Sequence, residues 1–395
     1  MKVLLLAPHP FYQDRGTPIA VSLVLKVLSQ RTAKVDVVTY HEGKDLYYEY
    51  VTVHRIPNMP FIRGVRPGFS WKKVMCDVLL LGKALLLVSK NKYHLVHAVE
   101  ESVYIAVLLK FLFRIPYVYD MDSSLPQQMM ERYPWLASVK ALLNGFERLA
   151  VRNAKVVVPV CEALSDSIRE YHPAKVMVVH DVALPQDGCG SDPSNLKSQL
   201  GIEGLVIMYV GNLEKYQGID LLLESFALVL RRTDQASLVI IGGENTDIER
   251  YRKRASDWGV DGKIHFLGPK PVQDLSGYLS QADILVSPRI RGNNTPMKIY
   301  SYLQSGKAVL ATELPTHTQV LGPHVVMLAP PDVEMFSKAM LRLIEDEALR
   351  LRLGKAGKEF VVTRYTYGSL HGKLMTLFDY LEREVVPGPI VAQNI

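Results

Sequence analysis

Cysteine is scarce, and the three that occur, Cys76, Cys161 and Cys189, show neither metal-site spacing nor the even count of a disulfide framework. A reducing, cytoplasmic setting is expected. Long apolar runs are also missing. After Met1-Lys2 only Val3 to Ala7 precede Pro8, which is too short for a secretory signal and reads as a first strand. The longest apolar stretch, Val78 to Val88, is broken by Gly82 and Lys83 and falls short of the roughly 20 residues that cross a bilayer. No transmembrane helix is expected. The Gly-x-Gly-x-x-Gly fingerprint follows none of the expected strands, which argues against a nicotinamide-dependent oxidoreductase. Zinc-finger, RNA-recognition and basic-zipper patterns are absent too, so nothing directs the positive charge at bases and nucleic acid is not an expected partner.

What is present is an ordinary globular composition, 48% hydrophobic and 22% charged over 395 residues, enough for two cores. The net charge of +6 is uneven, with +7 in residues 1–185 and −1 in the remainder. A basic first half suits an anionic substrate or an anionic lipid surface. Short apolar strands alternate with helix-length segments: Val3-Leu6, Val35-Thr39, Leu95-Ala98, Tyr117-Tyr119 and Val156-Val160, then Val206-Val210, Leu238-Ile241, Ile264-Leu267, Ile284-Val286 and Ala308-Ala311. This rhythm predicts parallel βαβ units in two α/β domains. The Pro-, Gly- and Asp-rich stretch Pro185 to Pro193 marks the boundary between residues 1–185 and 186–366. Residues 367–395 supply a last helix, about Tyr367 to Val385, expected to return to the first domain.

Three loops in the second half follow predicted strands, where open α/β sheets bind ligands. The first, Ser287-Pro288-Arg289-Ile290-Arg291-Gly292-Asn293-Asn294-Thr295-Pro296-Met297-Lys298, opens a helix that Thr295 would cap, Pro296 begin and Gly306 stop. Free N–H groups there, with Arg289, Arg291 and Lys298, favour a diphosphate. In the second loop, Gly211 permits close approach of an anion, and Asn212, Lys215 and Gln217 offer donors. The third holds Gly242, Gly243 and Glu244. Capped helices with solvated charges and plain strand-to-helix turns are the alternative at each position.

At these residues the chain resembles the retaining, nucleotide-sugar-dependent glycosyltransferases of family four. The likeness runs through Leu95-Val96-His97-Ala98, Glu147-Arg148-Leu149-Ala150, Tyr209-Val210-Gly211-Asn212-Leu213, Gln217-Gly218-Ile219-Asp220 and Ser305-Gly306-Lys307-Ala308-Val309. It implies the GT-B fold, two Rossmann-like doubly wound domains facing a central cleft, with a sugar-nucleotide donor on the second and a glycan or lipid-linked acceptor on the first. It also implies transfer with retention and neither metal nor cofactor. Catalytic roles would fall to Arg289 and Lys298, with Asp122 and His97 from the first domain, and the donor contacts would be Gly16 from the first domain and, from the second, Gly211, Asn212, Lys215, Gln217, Gly243, Glu244, Arg291, Asn294, Thr295, Pro296, Met297 and Ile299. The family's Glu-x7-Glu pair falls on Asn293 and Ser301, and the usual Arg and Lys of the first phosphate loop fall on Asn212 and Gln217. Many members carry Pro-x-Lys at Pro296-Met297-Lys298. Either the remaining cations compensate, or the chain is an inactive scaffold that binds partners.

In the first half, Asp120-Met121-Asp122 is a literal Asp-x-Asp, but it aligns with the family's strand-end His-Asp. Asp122 is thereby expected near the reacting sugar, with a helix cap, or a divalent-metal ligand from the literal Asp-x-Asp, as the alternatives. His97, Glu100 and Glu101 stand at another strand end, where His97 either contacts substrate or is structural, and the two glutamates either bind acceptor hydroxyls or open a solvated helix. The basic apolar run Phe61 to Lys73 reads either as a segment facing a membrane from the cytoplasmic side or as a loop before a buried helix.

Overall fold

The structure is a computed structural model that describes residues 1–65, 70–184 and 195–386. The expected linker and Cys189 lie outside the described residues, as do residues 66–69 of the basic apolar run. The chain divides into two compact units: Met1–His180 with Leu370–Ile395 form unit 1, and Asp181–Ser369 form unit 2.

Unit 1 comprises β1 (Lys2–Ala7), α1 (Gly16–Gln30), β2 (Lys34–Thr39), β3 (Val51–Arg55), α2 (Trp71–Lys90), β4 (Leu95–Val99), α3 (Val103–Phe113), β5 (Tyr117–Met121), α4 (Leu125–Arg132), α5 (Lys140–Asn153), β6 (Val156–Pro159) and α6 (Glu162–Ser167). Its strands lie in the order β3-β2-β1-β4-β5-β6, all parallel. Helices cover both faces of such a sheet, so its central strands carry near-continuous apolar runs: Val3 to Ala7 are wholly buried. Strand β3, absent from the sequence expectation, is a half-buried edge whose sequence Val-Thr-Val-His-Arg gives only weak alternation.

Unit 2 comprises α7 (Leu196–Leu200), β7 (Leu205–Val210), α8 (Ile219–Leu230), β8 (Ala236–Ile241), α9 (Asn245–Asp257), β9 (Ile264–Gly268), α10 (Leu275–Ser280), β10 (Ile284–Ser287), α11 (Lys298–Gln304), β11 (Ala308–Thr312), α12 (Pro315–Thr318), β12 (Met327–Ala329), α13 (Val333–Glu345) and α14 (Glu347–Arg364). The order β12-β11-β10-β7-β8-β9 is again parallel. Counted within each unit, both sheets follow one plan, with the direction of strand addition reversing between β1 and β4 and between β7 and β10. Loops leaving the carboxyl ends of those pairs splay apart and leave a crevice.

Helix α15 (Tyr367–Val385) returns the chain to unit 1. Leu370, Leu374, Leu377, Phe378 and Leu381 are buried at helical spacing. Its polar flank is tied to the same unit: Arg31 donates to Asp379 at 2.6 Å and to Glu382 at 2.8 Å, and Lys155 pairs with Glu384 at 2.6 Å.

Candidate functional site

In unit 2 the loops after β7, β8 and β10 meet at the switch point. Two glycines let them touch backbone to backbone, and a third admits a side chain. Gly218 has φ +73°, and a Cβ there would overlap the Pro288 carbonyl; Gly242 has φ +107°, and its Cβ would overlap the Gly211 carbonyl. Only glycine holds such conformations without strain. Gly243, at φ +82°, is crowded by the Leu213 side chain. A hydrogen bond from Ile290 N–H to the Tyr216 carbonyl, 2.9 Å, fastens the loop after β10 to the loop after β7.

Lys298 sits at the centre of this arrangement. Its Nζ donates to Gln217 Oε1 at 3.0 Å and lies 3.9 Å from the centre of the Tyr209 ring. It would stand 3.1 Å from a Cβ on Gly211, so the missing side chain at Gly211 is what opens the ammonium to the loop. Burial, then the Arg289 guanidinium, push the Lys298 pKa well below its ordinary value. Among the described residues no carboxylate pairs with it. Gln217 is itself buried, which leaves a neutral amide as the partner of the half-buried Lys298.

The expected helix start is corrected. α11 begins at Lys298, and Thr295 makes no side-chain cap. Ile299 N–H turns back to the Pro296 carbonyl at 2.9 Å and Tyr300 N–H to the Met297 carbonyl at 3.2 Å, so the entry is a tight i+3 turn. The segment before it is held from outside. Arg289 donates to the Arg291 carbonyl at 2.8 Å, the Asn294 carbonyl at 3.0 Å and Asn294 Oδ1 at 2.9 Å; Thr316 and Gln319, in and after α12, bond to the carbonyls of Asn294 and Asn293, both at 2.6 Å. Arg289 is thus buried and works as the keystone of its own loop. Gly306 does follow the helix in the left-handed conformation, φ +74°.

Other expected contacts divide by environment. Ile299 is wholly buried in the core under the sheet, so its side chain has no route to a ligand and its amide is already engaged. The Gly211 amide donates to the Ile241 carbonyl at 3.0 Å, so that N–H is also spoken for. Asn212 closes its own turn, accepting from Glu214 N–H at 3.3 Å, and is exposed, as are Lys215, Glu244 and Arg291. Pro296 is buried and Met297 half-buried. Thr295 Oγ1 and Ser301 Oγ are buried with no hydrogen-bond partner in the structure, a condition that costs about 1–3 kcal/mol per group.

Residues the sequence did not signal complete the support. The Tyr302 hydroxyl donates to the Val210 carbonyl at 3.2 Å and accepts from Val210 N–H at 2.7 Å, fixing the end of β7. His317 is wholly buried between Ser287 Oγ, 2.9 Å from Nε2, and the Thr312 carbonyl, 2.8 Å from Nδ1. Burial, ahead of the Arg289 and Lys298 charges, lowers its pKa to about 3. A neutral ring there joins the ends of β10 and β11. Val210 is 92 residues from Tyr302 and Ser287 is 30 from His317, so no local pattern reveals those pairings.

In unit 1 the structure moves His97 from the strand end into the middle of β4, where it pairs in register with Leu5 and Val118. It is 1% exposed, packs against Phe378 of α15, and its Nε2 lies 3.0 Å from Asp120 Oδ2. That environment leaves no open ring face for a substrate. It also engages Asp120, the first carboxylate of the Asp-x-Asp. Asp122 follows β5 and is half-buried. Gly16 begins α1, and a Cβ there would meet no atom within 4 Å.

After β4, Glu100 and Glu101 lie beside Lys73 and Asp77; Lys73 Nζ is 2.5 Å from Glu101 Oε1. Burial, then the neighbouring Glu101 charge, raise Asp77 and Glu100 to about 7 each. A carboxyl raised on folding stabilises fully below its unfolded pKa, and that contribution is lost as pH rises through the folded value. Stability is therefore expected to fall between about pH 4.5 and 7 from these groups. Urea melts of Glu100→Gln should show a flatter profile over that window; an unchanged slope would contradict the assignment.

Comparison with known proteins follows this geometry. The family described as Glycosyltransferase Family 4 matches residues 16–181, and that described as Glycosyl transferases group 1 matches residues 194–360. A D-inositol 3-phosphate glycosyltransferase of Corynebacterium efficiens is 25% identical over 278 residues, covering 64% of this chain and 63% of that protein. The chain thus spans just under two thirds of that relative. An uncharacterized glycosyltransferase of Methanocaldococcus jannaschii is 19% identical over 85% of this chain and 83% of its own length. Among solved structures, the sucrose-phosphate synthase of Thermosynechococcus elongatus superimposes with a TM-score of 0.79 at 17% identity, covering 97% of this chain and 99% of that one. The Anabaena protein HepE in complex with UDP-glucose gives 0.74 at 15% identity, covering 96% and 100%. Both establish the GT-B fold.

Proposed function

Taking as premise that the chain belongs to the family-four glycosyltransferases, we propose that unit 2 binds a nucleoside-diphosphate sugar at the ends of β7 and β10 and that the enzyme transfers its sugar to a hydroxyl of a glycan or lipid-linked glycan. The observation that carries this reading is Lys298, a half-buried lysine that among the described residues has no carboxylate partner, at the meeting point of the glycine loops. A diphosphate supplies the missing counter-charge. Arg291 and Lys215 stand exposed on the flanking loops to add to it, and the buried Thr295 and Ser301 hydroxyls add two unused donors.

The chemistry follows from where charge develops. The bond from the anomeric carbon to the diphosphate breaks, the acceptor oxygen bonds to the same face, and its proton passes to the departing phosphate oxygen. Charge accumulating on that phosphate is met by fixed cations in a preorganised site, an effect worth on the order of 10²–10³ in rate for one lost donor. No protein nucleophile and no metal takes part in this scheme. Turnover in excess chelator is therefore expected to equal turnover without it, and the product anomer, read by NMR, to match the donor's; a chelator-sensitive rate or an inverted product would overturn those two points.

Thermal-shift screening against UDP, GDP and ADP sugars tests the donor. UDP-glucose is the first probe because the similar Anabaena protein was solved with it. A ligand at 100 times its dissociation constant stabilises by about 2.7 kcal/mol, readily seen as a raised melting temperature. If none of the three classes shifts it, the donor site is misplaced. A second reading, a scaffold that binds but does not transfer, is favoured by Asn293 and Ser301 at the positions aligned with the family's carboxylates. Donor binding without any transferred or hydrolysed sugar would select it.

A further inference from the structure

Unit 1 carries a groove that none of the expected donor or catalytic residues lines. α3, α4 and α5 enclose an open groove of about 500 Å³ whose walls include Val107, Leu125, Met129 and Leu143, with no charged side chain among its lining residues. Two of the lining residues are largely open to solvent, Phe111 at 61% and Phe146 at 50%, and Trp135, 71% exposed, stands on the segment that joins α4 to α5. Single exposed hydrophobics are ordinary, but a contiguous patch marks an interaction site. Here the helical period builds the patch. Leu142, Phe146 and Leu149 recur at i, i+4 and i+7 along α5, all exposed.

The charges beside this stripe are mostly of one sign. Arg148 and Arg152 occupy the neighbouring stripe of α5, Lys140 begins the helix and Arg114 closes α3, and all four are exposed. The acid of α5, Glu147, turns inward, is 4% exposed and accepts from Ser124 Oγ at 2.7 Å. Glu131 of α4 remains outward. An aromatic apolar surface beside a basic stripe is the pattern that suits the boundary between anionic headgroups and acyl chains. A protein partner would need roughly one hydrogen bond per 100–200 Å² to fix its register, and the Tyr104 hydroxyl is the one polar side-chain group among the lining residues.

We propose that the groove between α3, α4 and α5 is a membrane-contact site that takes an acyl chain of an anionic phospholipid, with Arg148, Arg152, Lys140 and Arg114 meeting the headgroup phosphates. None of the groove's lining residues belongs to the basic apolar run at Phe61 to Lys73, and the proposal is independent of the donor reading.

The full chain with Trp71→Phe and Trp258→Phe leaves Trp135 as the reporter, since the protein has three tryptophans. With equimolar phosphatidylglycerol and phosphatidylcholine vesicles at low salt, its emission is expected to move to shorter wavelength and to be quenched by brominated acyl chains. Leu142→Ser with Phe146→Ser should weaken vesicle binding about tenfold or more, and Arg148→Gln with Arg152→Gln should weaken it and reduce its salt dependence. The exposed Leu351→Ser in unit 2 is the matched control and should change nothing. The altered side chains are largely solvent-facing, so circular dichroism should show intact folding. Absence of binding at low salt, binding without quenching, or equal loss in the Leu351 variant each overturns the proposal. So does a self-association in solution that the Leu142, Phe146 variant abolishes while vesicles remain unbound.

Discussion

Lys298→Met is expected to raise the melting temperature of the ligand-free protein while weakening nucleotide-sugar binding about 30-fold or more. Burial and the Arg289 guanidinium both disfavour the ammonium, and the Gln217 amide and Tyr209 ring compensate only partly. A methionine of similar length fills the space without that penalty, for a gain of about 1–3 kcal/mol. The sign is open to a pH test. A lysine whose folded pKa is lowered leaves more protons on the unfolded chain, so wild-type stability climbs as pH rises toward the ordinary lysine value. The advantage of Lys298→Met should therefore shrink in calorimetric melts as pH rises toward the ordinary lysine value. Saturating UDP-glucose should reverse the order, because the diphosphate supplies the counter-charge only to the lysine. A variant that is less stable than wild type without ligand, yet binds donor equally well, would remove Lys298 from the site.

Gly218→Val should destabilise unit 2 by about 3 kcal/mol or more, through left-handed strain in a β-branched residue and overlap with neighbouring backbone. The first added carbon overlaps the Pro288 carbonyl and stands 3.0 Å from Ile290 Cγ2. Relief requires the loops after β7 and β10 to separate, which breaks the bond between Ile290 and Tyr216. Donor binding should fall with stability, since Gln217 and Lys298 lie on the two separated segments. Gly16→Ala is the contrast. Its Cβ meets nothing and its φ is not positive, so urea melts should show little change. Any loss of transfer by that variant would then reflect crowding of substrate. Equal melts for Gly218→Val and wild type would mean that the loops are not locked together as described.

The same contrast shows what the chain's local pattern conveys. The central strands are legible because both faces of a parallel sheet are buried, which forces runs such as Val3 to Ala7 and Val206 to Tyr209 to be apolar throughout. Edge strands β3 and β12 escape notice, since one side of each is unpaired and the second is three residues long. Loops at the strand ends are legible as loops through Gly211, Gly218, Gly242 and Gly243, whose positive φ values demand glycine. Their internal bonding is not, because Arg289, Thr316 and Gln319 reach carbonyls up to 26 residues away.

The sequence by itself thus determined the parallel α/β build of both units, the helix α15, and the glycine-bearing loops at the strand ends, all of which rest on periodicity and on residue types with fixed backbone demands; the doubly wound order came from the family resemblance. Tertiary structure alone decided how those residues are used. Thr295 is an unpaired buried hydroxyl, not a cap; Arg289 braces its loop; His97 is sealed beneath Phe378; and Lys298 is poised against Gln217. Charge and hydrogen bonding act through space over a few ångströms, so their outcome depends on which distant segments packing brings together.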